Sequence, residues 1–151
     1  MAPVTHIRWM LNSDVQEVSE IESRCTRYPW PAVNFATCAQ DKEIVCIVAE
    51  DDTNGNVLAG YIIYTYTKTR SRILNIGVDP FVQRRGVGRE LLNKMLDKRP
   101  TTFAIIPESS LDALKFFKSL GFRNSVVKKN YFKDSMQDGI KMTYSKIPIA
   151  S

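Results

Sequence analysis

Histidine and cysteine are scarce in this chain of 151 residues, which has one histidine and three cysteines. Because His6 is the only histidine and no Cys-x-x-Cys pair occurs, we expect no zinc or other metal site. Cys25, Cys38 and Cys46 are odd in number and irregularly spaced, which predicts buried free thiols rather than a disulfide framework. The single histidine also argues against a Cys–His nucleophile.

Long apolar runs are absent as well. No segment approaches the ~20 apolar residues that a membrane-spanning helix needs. The first ten residues, MAPVTHIRWM, lack the charged start and the long apolar stretch of a signal peptide. The length of 151 residues, with 44% hydrophobic and 25% charged residues, is typical of one soluble globular domain. We therefore expect a single domain over residues 1–151, located in the cytoplasm.

The net charge of +5 is unevenly distributed along the chain. Residues 1–67 carry four basic and nine acidic side chains, whereas residues 68–99 carry nine basic and three acidic ones. The central segment therefore has a net charge of +6, which predicts an anionic partner or a solvated basic face. Nucleic acid is not the expected partner, because aromatic residues are not interleaved with these charges.

Apolar periodicity and turn residues predict the element order β-α-α-β-β-β-α-β-α-β-β. Asn54-Gly55 is typical of a hairpin, and Gly121 is placed to end a helix in the left-handed conformation. We expect the last two strands to be joined by a polar loop that contains Gly139. This order predicts an α+β domain with a mixed, mostly antiparallel sheet and helices packed on its faces.

A basic turn, VQRRGVGRELL at 82–92, follows the apolar strand that ends in LNIGVDP. A helix N-terminus has unpaired N–H groups and a positive dipole, and glycines let a phosphate approach the backbone closely. The turn is neither a P-loop, which needs a Gly-Lys-Ser/Thr ending, nor a dinucleotide fingerprint, which needs a third glycine three residues after Gly88. The pattern indicates a pyrophosphate site, and the alternative is a helix start with solvated arginines.

The segment QRRGVG at 83–88 resembles the acyl-CoA pyrophosphate loop of the GCN5-related N-acetyltransferase (GNAT) superfamily. The segments YPW, NIGVDPFVQRRGVGRELL, FFKSLGF and KKNYF resemble, in the same order, those of the RimI-type ribosomal-protein-alanine N-acetyltransferases. This resemblance covers nearly the whole chain. It implies the GNAT fold, with a splay in the sheet at the CoA-binding strand and helices on both faces. It also implies acetyl-CoA as co-substrate, without a metal.

The resemblance implies a set of cofactor-binding residues. Those on the strand that pairs with the pantetheine arm are Ile76, Gly77 and Val78. Those of the pyrophosphate loop are Arg84, Arg85, Gly86, Val87, Gly88 and Arg89. Ser110 matches a position, usually asparagine, that touches the cofactor near its reactive end, and Phe117 matches a tyrosine that usually protonates the departing thiolate.

Two catalytic positions depart from the family pattern. Ile105 stands where RimI-type enzymes have a glutamate base, and Phe117 replaces the tyrosine acid. An α-amine has a reference pKa of about 7.7–8.0, so a useful fraction is neutral at cellular pH, whereas a lysine amine at about 10.4 needs a base. A site without a base is therefore more compatible with an α-amine or another weakly basic amine.

Four further residues are candidates for the acceptor side. Tyr131 in KKNYF matches a tyrosine beside the acceptor and is the best remaining candidate for a polar catalytic role, although a packing role is the alternative. Glu108 lies near the missing base, but it follows Pro107 and a helix-capping role is also open. Tyr28 and Trp30 either wall the acceptor site or pack locally.

The sequence thus predicts an acetyl-CoA-dependent N-acetyltransferase in which the amine attacks directly within a ternary complex. The acceptor would be a protein N-terminus or a small amine, with no nucleic acid or membrane as partner, and the protein a monomer or homodimer. The alternative is a CoA-binding domain with little or no turnover that acts as a sensor or scaffold. A basic nucleic-acid-binding module would explain the charge but not the glycine loop.

Overall fold

The computed structural model describes residues 5–82 and 86–146. By their internal contacts these residues form two compact units. The first unit lies within residues 1–66 and 73–95, and the second within residues 67–72 and 96–151. None of the helices in the described ranges has the length and apolar character to cross a bilayer.

The first unit combines strands and helices. Its strands are β1 (Thr5–Trp9), β2 (Val45–Asp51), β3 (Val57–Tyr66) and the larger part of β4 (Arg70–Val78). Its helices are α1 (Val15–Cys25), α2 (Ala32–Gln40) and α3 (Val87–Leu96, except its last residue). Strand β2 pairs antiparallel with both β1 and β3. The predicted hairpin is confirmed, since Gly55 and Asn56 between β2 and β3 have φ angles of +65° and +60°.

The core of the first unit forms where apolar helix faces meet apolar strands. Helix α1 buries Val18 and Ile21 completely, three residues apart on one face. They pack with the fully buried Phe35 of α2 and with residues of β2 and β3. Helix α3 likewise buries Leu91 and Leu92. Burial of such side chains contributes roughly 1.5–3 kcal/mol each, which orders the strands that carry the candidate site.

The second unit is built on an antiparallel ladder. Its elements are β5 (Thr101–Pro107), α4 (Leu111–Ser119), β6 (Arg123–Phe132) and β7 (Gln137–Ser145). Strand β7 pairs antiparallel with both β5 and β6. The first residues of β4 also belong to this unit and pair parallel with β5, at Arg70–Thr101, Ser71–Thr102 and Arg72–Phe103.

The two faces of β5 differ. Thr102, Ala104 and Ile106 are buried, whereas the residues between them are half-buried. The ring of Phe117 on α4 packs against that of Phe122 just after the helix, with ring centroids 4.9 Å apart. Gly121 ends α4 with a φ of +99°, as predicted.

The predicted element order and the α+β class are confirmed. In the first unit β1, β2 and β3 follow one another as antiparallel neighbours. In the second, the first residues of β4 are followed by β5, β7 and β6, with the β4–β5 pair parallel and the other described ladders antiparallel. One local prediction was wrong, because Gly139 lies within strand β7, opposite Lys128, and not in a loop. Glycine is required at this position for steric reasons, because a Cβ atom there would lie 2.7 Å from the side chain of Ile105.

Candidate functional site

The end of strand β4 carries three predicted cofactor-binding residues, Ile76, Gly77 and Val78, of which the last two are buried. A Cβ atom at Gly77 would lie 2.6 Å from the hydroxyl oxygen and from a ring carbon of Tyr61 on β3. A larger residue therefore does not fit at this position. The carbonyl oxygen of Val78 accepts a hydrogen bond from the thiol of Cys25 at 3.2 Å.

Asp79 holds the turn that leaves β4. Its backbone N–H donates to the carbonyl of Ala59 at 2.8 Å, and its carboxylate accepts from the N–H of Phe81 at 3.0 Å. The other carboxylate oxygen accepts from Arg24 of α1 at 2.8 Å. These bonds fix where the chain enters the basic turn.

The predicted pyrophosphate loop is only partly within the described residues. Arg84 and Arg85 lie outside them. Gly86 has a φ of +85°, and a Cβ atom built there would meet open space, so its glycine serves backbone conformation. The N–H of Glu90 donates to the Gly86 carbonyl at 3.0 Å, which leaves the N–H groups of residues 87–89 without carbonyl partners inside the helix.

The start of helix α3 therefore suits an anion. Val87 points into the core at 1% exposure, and Gly88 is buried, while Arg89 is half-buried. Free N–H groups and the helix dipole at this end favour a negatively charged group such as a pyrophosphate. The residues present fit the cofactor that the resemblance implies.

A buried carboxylate, which sequence reasoning missed, connects helix α1 with β3, with β4 and with the segment before α2 in the first unit. Glu22 of α1 is 5% exposed and accepts hydrogen bonds from the Tyr61 hydroxyl at 2.6 Å, the Asn75 amide at 3.0 Å and the Trp30 N–H at 3.1 Å. Burial, followed by the charge of Glu22, raises the pKa of Tyr61 well above its ordinary value. The sequence does contain a signal for the burial of Glu22, because this carboxylate follows Val18 by four residues and so lies on the apolar face of α1.

The two aromatic candidates of the first unit have different surroundings. Trp30 is half-buried and packs against Phe35, with ring centroids 5.3 Å apart. Tyr28 is 83% exposed. Trp30 therefore has a packing role in addition to any contact with an acceptor, and Tyr28 is available at the surface.

In the second unit the structure brings two predicted site residues together. A Cβ atom at Gly139 would lie 2.7 Å from Ile105 and 3.1 Å from the Cβ of Tyr131, so these two side chains converge over the glycine. The hydroxyl of Tyr131 accepts a hydrogen bond from the guanidinium of Arg72 at 2.8 Å. Sequence reasoning did not identify Arg72, whose bond to Tyr131 joins residues 59 positions apart.

A bulge in β6 positions Tyr131. The β6–β7 register shifts between Lys128 and Phe132, and Asn130 has a φ of +50°. The carboxylate of Asp138 accepts from the N–H of Asn130 at 2.9 Å and from Lys129 at 3.2 Å. These two bonds, in that order, lower the pKa of Asp138.

The other candidates of the second unit surround helix α4. Ser110 is its N-terminal capping residue but forms no side-chain capping bond, and Glu108 is exposed. Phe117 is 4% exposed, and its ring contacts those of Phe116 and Phe122. Neither Phe117 nor Ile105 can exchange a proton.

Three cationic groups surround the ring of Phe103 on β5. The nitrogen of Lys141 lies 4.7 Å from the ring centroid, and the guanidinium carbons of Arg70 and Arg72 lie 4.9 and 5.9 Å from it. Arg70 and Arg72 belong to the basic segment 68–99, for which the sequence predicts an anionic partner or a solvated basic face.

The cysteines are free, as predicted, but the prediction that they are buried holds for Cys46 alone, because Cys25 and Cys38 are half-buried. Cys46 is 5% exposed, and burial is the main cause that raises the pKa of its thiol to about 12. Burial also raises the pKa of Cys25 and of Cys38. None of the three thiols is therefore activated as a nucleophile. Within residues 5–82 and 86–146, no group of three or more histidine, cysteine, aspartate or glutamate side chains is placed to hold a metal ion.

Comparison with known proteins gives consistent matches. The model of the acetyltransferase (GNAT) family matches residues 15–122. The ribosomal protein bS18-alanine N-acetyltransferase of Escherichia coli (strain K12) is 28% identical over 137 residues, which cover 86% of this chain and 90% of the relative. The N-alpha-acetyltransferase RimI of Mycobacterium tuberculosis is 28% identical over 148 residues, or 93% of this chain and 91% of the relative.

A solved structure agrees with these relatives. The crystal structure of the ribosomal-protein-S18-alanine N-acetyltransferase from Escherichia coli superposes with a TM-score of 0.74 at 26% identity, covering 98% of this chain and 97% of the other. The family match and the similarity in fold agree with the family that the quoted sequence segments resemble. The chain belongs to the GNAT family of acetyltransferases.

Proposed function

We propose that this acetyltransferase transfers the acetyl group of acetyl-CoA to the α-amine of a protein N-terminus. Two of its relatives are named for alanine N-acetylation of ribosomal protein bS18 and for N-alpha-acetylation. The observation that carries the proposal is the apolar character of the two proton-transfer positions. Ile105 packs over Gly139, and Phe117 is buried among other phenylalanines.

An apolar site restricts which amine can react. The amine nitrogen attacks the thioester carbonyl carbon, the carbon–sulfur bond breaks, and the nitrogen loses one proton while the thiolate gains one. Without a carboxylate base the attacking amine must already be neutral. An α-amine with a pKa of about 7.7–8.0 meets this condition near neutral pH, whereas a lysine amine does not.

Tyr131 is the polar group proposed to lie beside the acceptor. Because Arg72 donates to its hydroxyl oxygen, the Tyr131 proton is free to donate to another acceptor. Tyr131 is 38% exposed, so a peptide can reach it. We assign it a positioning role toward the peptide or toward water that carries away the amine proton.

The α3 N-terminus is proposed to bind the pyrophosphate of the co-substrate, with the backbone of residues 76–78 holding its pantetheine arm. We also propose that residues 1–151 form one acetyltransferase domain, because the family match at 15–122 includes residues of both units. A ribosomal-protein acceptor of the kind named for the relatives agrees with the predicted cytoplasmic location.

The amine preference can be measured directly. We expect thiol release from acetyl-CoA with a peptide that begins with a free alanine, and little or none with the same peptide blocked at its N-terminus and carrying one lysine. Activity confined to the lysine peptide would contradict the argument from amine pKa. Binding of acetyl-CoA, seen as a raised Tm, without turnover of any amine would instead assign the chain to the sensor or scaffold class.

The missing acid predicts a gain of function. Phe117→Tyr restores a hydroxyl at the position where the resembled enzymes have one, so we expect kcat with the alanine peptide to rise about tenfold. This is less than the ~10²–10⁴-fold typical of general acids, because a thiol with a pKa of about 8.5 is already a tolerable leaving group. Phe116→Tyr on the half-buried neighbouring position is the matched control and should leave kcat unchanged. An equal kcat for Phe117→Tyr and the natural protein, at unchanged Tm, would show that thiolate departure does not limit the rate.

A further inference from the structure

The second unit carries a group of cationic side chains that the acetyl transfer described so far does not use. We call it the Phe103 cluster, and it consists of Arg70, Arg72 and Lys141 around the ring, together with Lys128 on β6. The three groups at the ring all lie within 5.9 Å of its centroid. Desolvation, then the charges of Arg70 and Lys128, lower the pKa of Lys141.

In the part of the chain that the structure describes, the cluster has no ion pair with a carboxylate, unlike some other cations. Arg8 is paired with Asp14 and Glu50, Arg24 with Asp79, and Lys129 with Asp138. Among the ion pairs of residues 5–82 and 86–146, none involves a member of the Phe103 cluster. The Nε atom of Arg72 is moreover buried and has no hydrogen-bond partner among the described residues. Like charges held this close repel each other, and a bound anion relieves that repulsion.

The cluster adjoins the proposed acceptor residues. Arg72 donates to the Tyr131 hydroxyl, and Lys141 pairs with Ile105 across the β5–β7 ladder. Tyr131 and Ile105 meet over Gly139, which lies two residues before Lys141 on β7 and therefore on the same face of the strand. A peptide whose first residue reaches Tyr131 would therefore place its next residues over the cations.

We propose that the Phe103 cluster selects acceptor proteins with acidic residues directly after the N-terminal residue. This inference rests on the proposed N-terminal acetyl transfer. Side-chain carboxylates match separate cations on neighbouring strands, since each accepts charge-assisted hydrogen bonds from one or two of them. A nucleic acid is less suited, because the Phe103 ring is already covered by cations and offers no stacking surface to a base.

The test compares three peptides that share an N-terminal alanine and differ in their second and third residues, which are both glutamate, both glutamine or both lysine. The natural protein should show a KM for the glutamate peptide about tenfold below that for the glutamine peptide, and the highest KM for the lysine peptide. The difference should shrink at high salt. Equal KM values for the three peptides would overturn the inference while leaving the N-terminal activity intact.

Two double variants locate the effect. Arg70→Gln with Lys141→Gln should raise the KM for the glutamate peptide about tenfold and leave that for the glutamine peptide unchanged. The matched control, Lys94→Gln with Lys98→Gln, removes the same charge from exposed lysines at the end of α3 and beyond it, and should change neither value. An equal rise in both double variants would mean that net charge, not the cluster, governs recognition.

If no peptide is acetylated, the proposed function fails, and calorimetric binding of the same peptides still decides the inference. Tenfold tighter binding of the glutamate peptide than of the lysine peptide, lost in Arg70→Gln with Lys141→Gln, supports it, and equal binding overturns it. A single-stranded oligonucleotide that displaces the glutamate peptide and is released by the same double variant would assign the cluster to nucleic acid instead.

Discussion

Glu22→Leu is expected to lower the free energy of unfolding by about 3–5 kcal/mol. The carboxylate of Glu22 accepts from Tyr61, Asn75 and Trp30, and all three donors come from elements other than α1. Leucine removes all three of these bonds at once, so the Asn75 amide and the Trp30 backbone N–H lose their acceptor, and the Tyr61 hydroxyl keeps its longer bond to the Asn75 amide oxygen at 3.4 Å. Each buried donor left unpaired costs roughly 1–3 kcal/mol.

The measurement is equilibrium unfolding in urea, with Glu20→Leu as matched control. Glu20 lies on the same helix, but it is exposed and accepts a long hydrogen bond from the exposed Gln16 at 3.3 Å. Its replacement should change stability by no more than about 0.5 kcal/mol. The stability of Glu22→Gln should lie between those of Glu22→Leu and Glu20→Leu. The glutamine amide keeps one oxygen that can accept, but its NH₂ group would face donors of the surrounding residues. A Glu22→Leu variant as stable as Glu20→Leu would show that the three donors find other partners.

Gly77→Ala is expected to cost about 2–3 kcal/mol of stability and to weaken acetyl-CoA binding. The added Cβ would lie 2.6 Å from the Tyr61 ring, a distance that real Cβ contacts do not reach. Tyr61 cannot move aside freely, since it is fully buried and its hydroxyl is bonded to Glu22. The displacement therefore falls on β4, the strand proposed to hold the pantetheine arm.

A double-mutant cycle with Tyr61→Leu tests the cause. In the Tyr61→Leu background the ring is gone, so Gly77→Ala should cost much less than in the natural protein. Gly55→Ala is the control, because a Cβ atom at Gly55 would meet open space. The positive φ of this residue should lower the free energy of unfolding by about 1 kcal/mol, and acetyl-CoA binding should not change. Strict additivity of Gly77→Ala and Tyr61→Leu would refute a collision between the two residues.

Predictions from short sequence patterns were confirmed where the conformation depends on a single turn or a single helix end. The left-handed glycines Gly55 and Gly121 follow from backbone sterics that involve only neighbouring residues. The same holds for the glycine turn before α3, where Gly86 has a positive φ. Gly139 was misassigned to a loop because glycine is also required where side chains from other strands crowd the backbone.

The amino-acid sequence alone was enough to predict the order of elements, the α+β class and the family. These depend on periodicity and on contiguous motifs, which are written in consecutive residues. Which distant polar groups meet depends instead on the folded arrangement of the elements. Glu22 bonds to Tyr61 and Asn75 at separations of 39 and 53 residues, and Arg72 bonds to Tyr131 at 59. No local pattern encodes such pairs, because the two partners lie far apart in the sequence and only the folded chain brings them within hydrogen-bond distance.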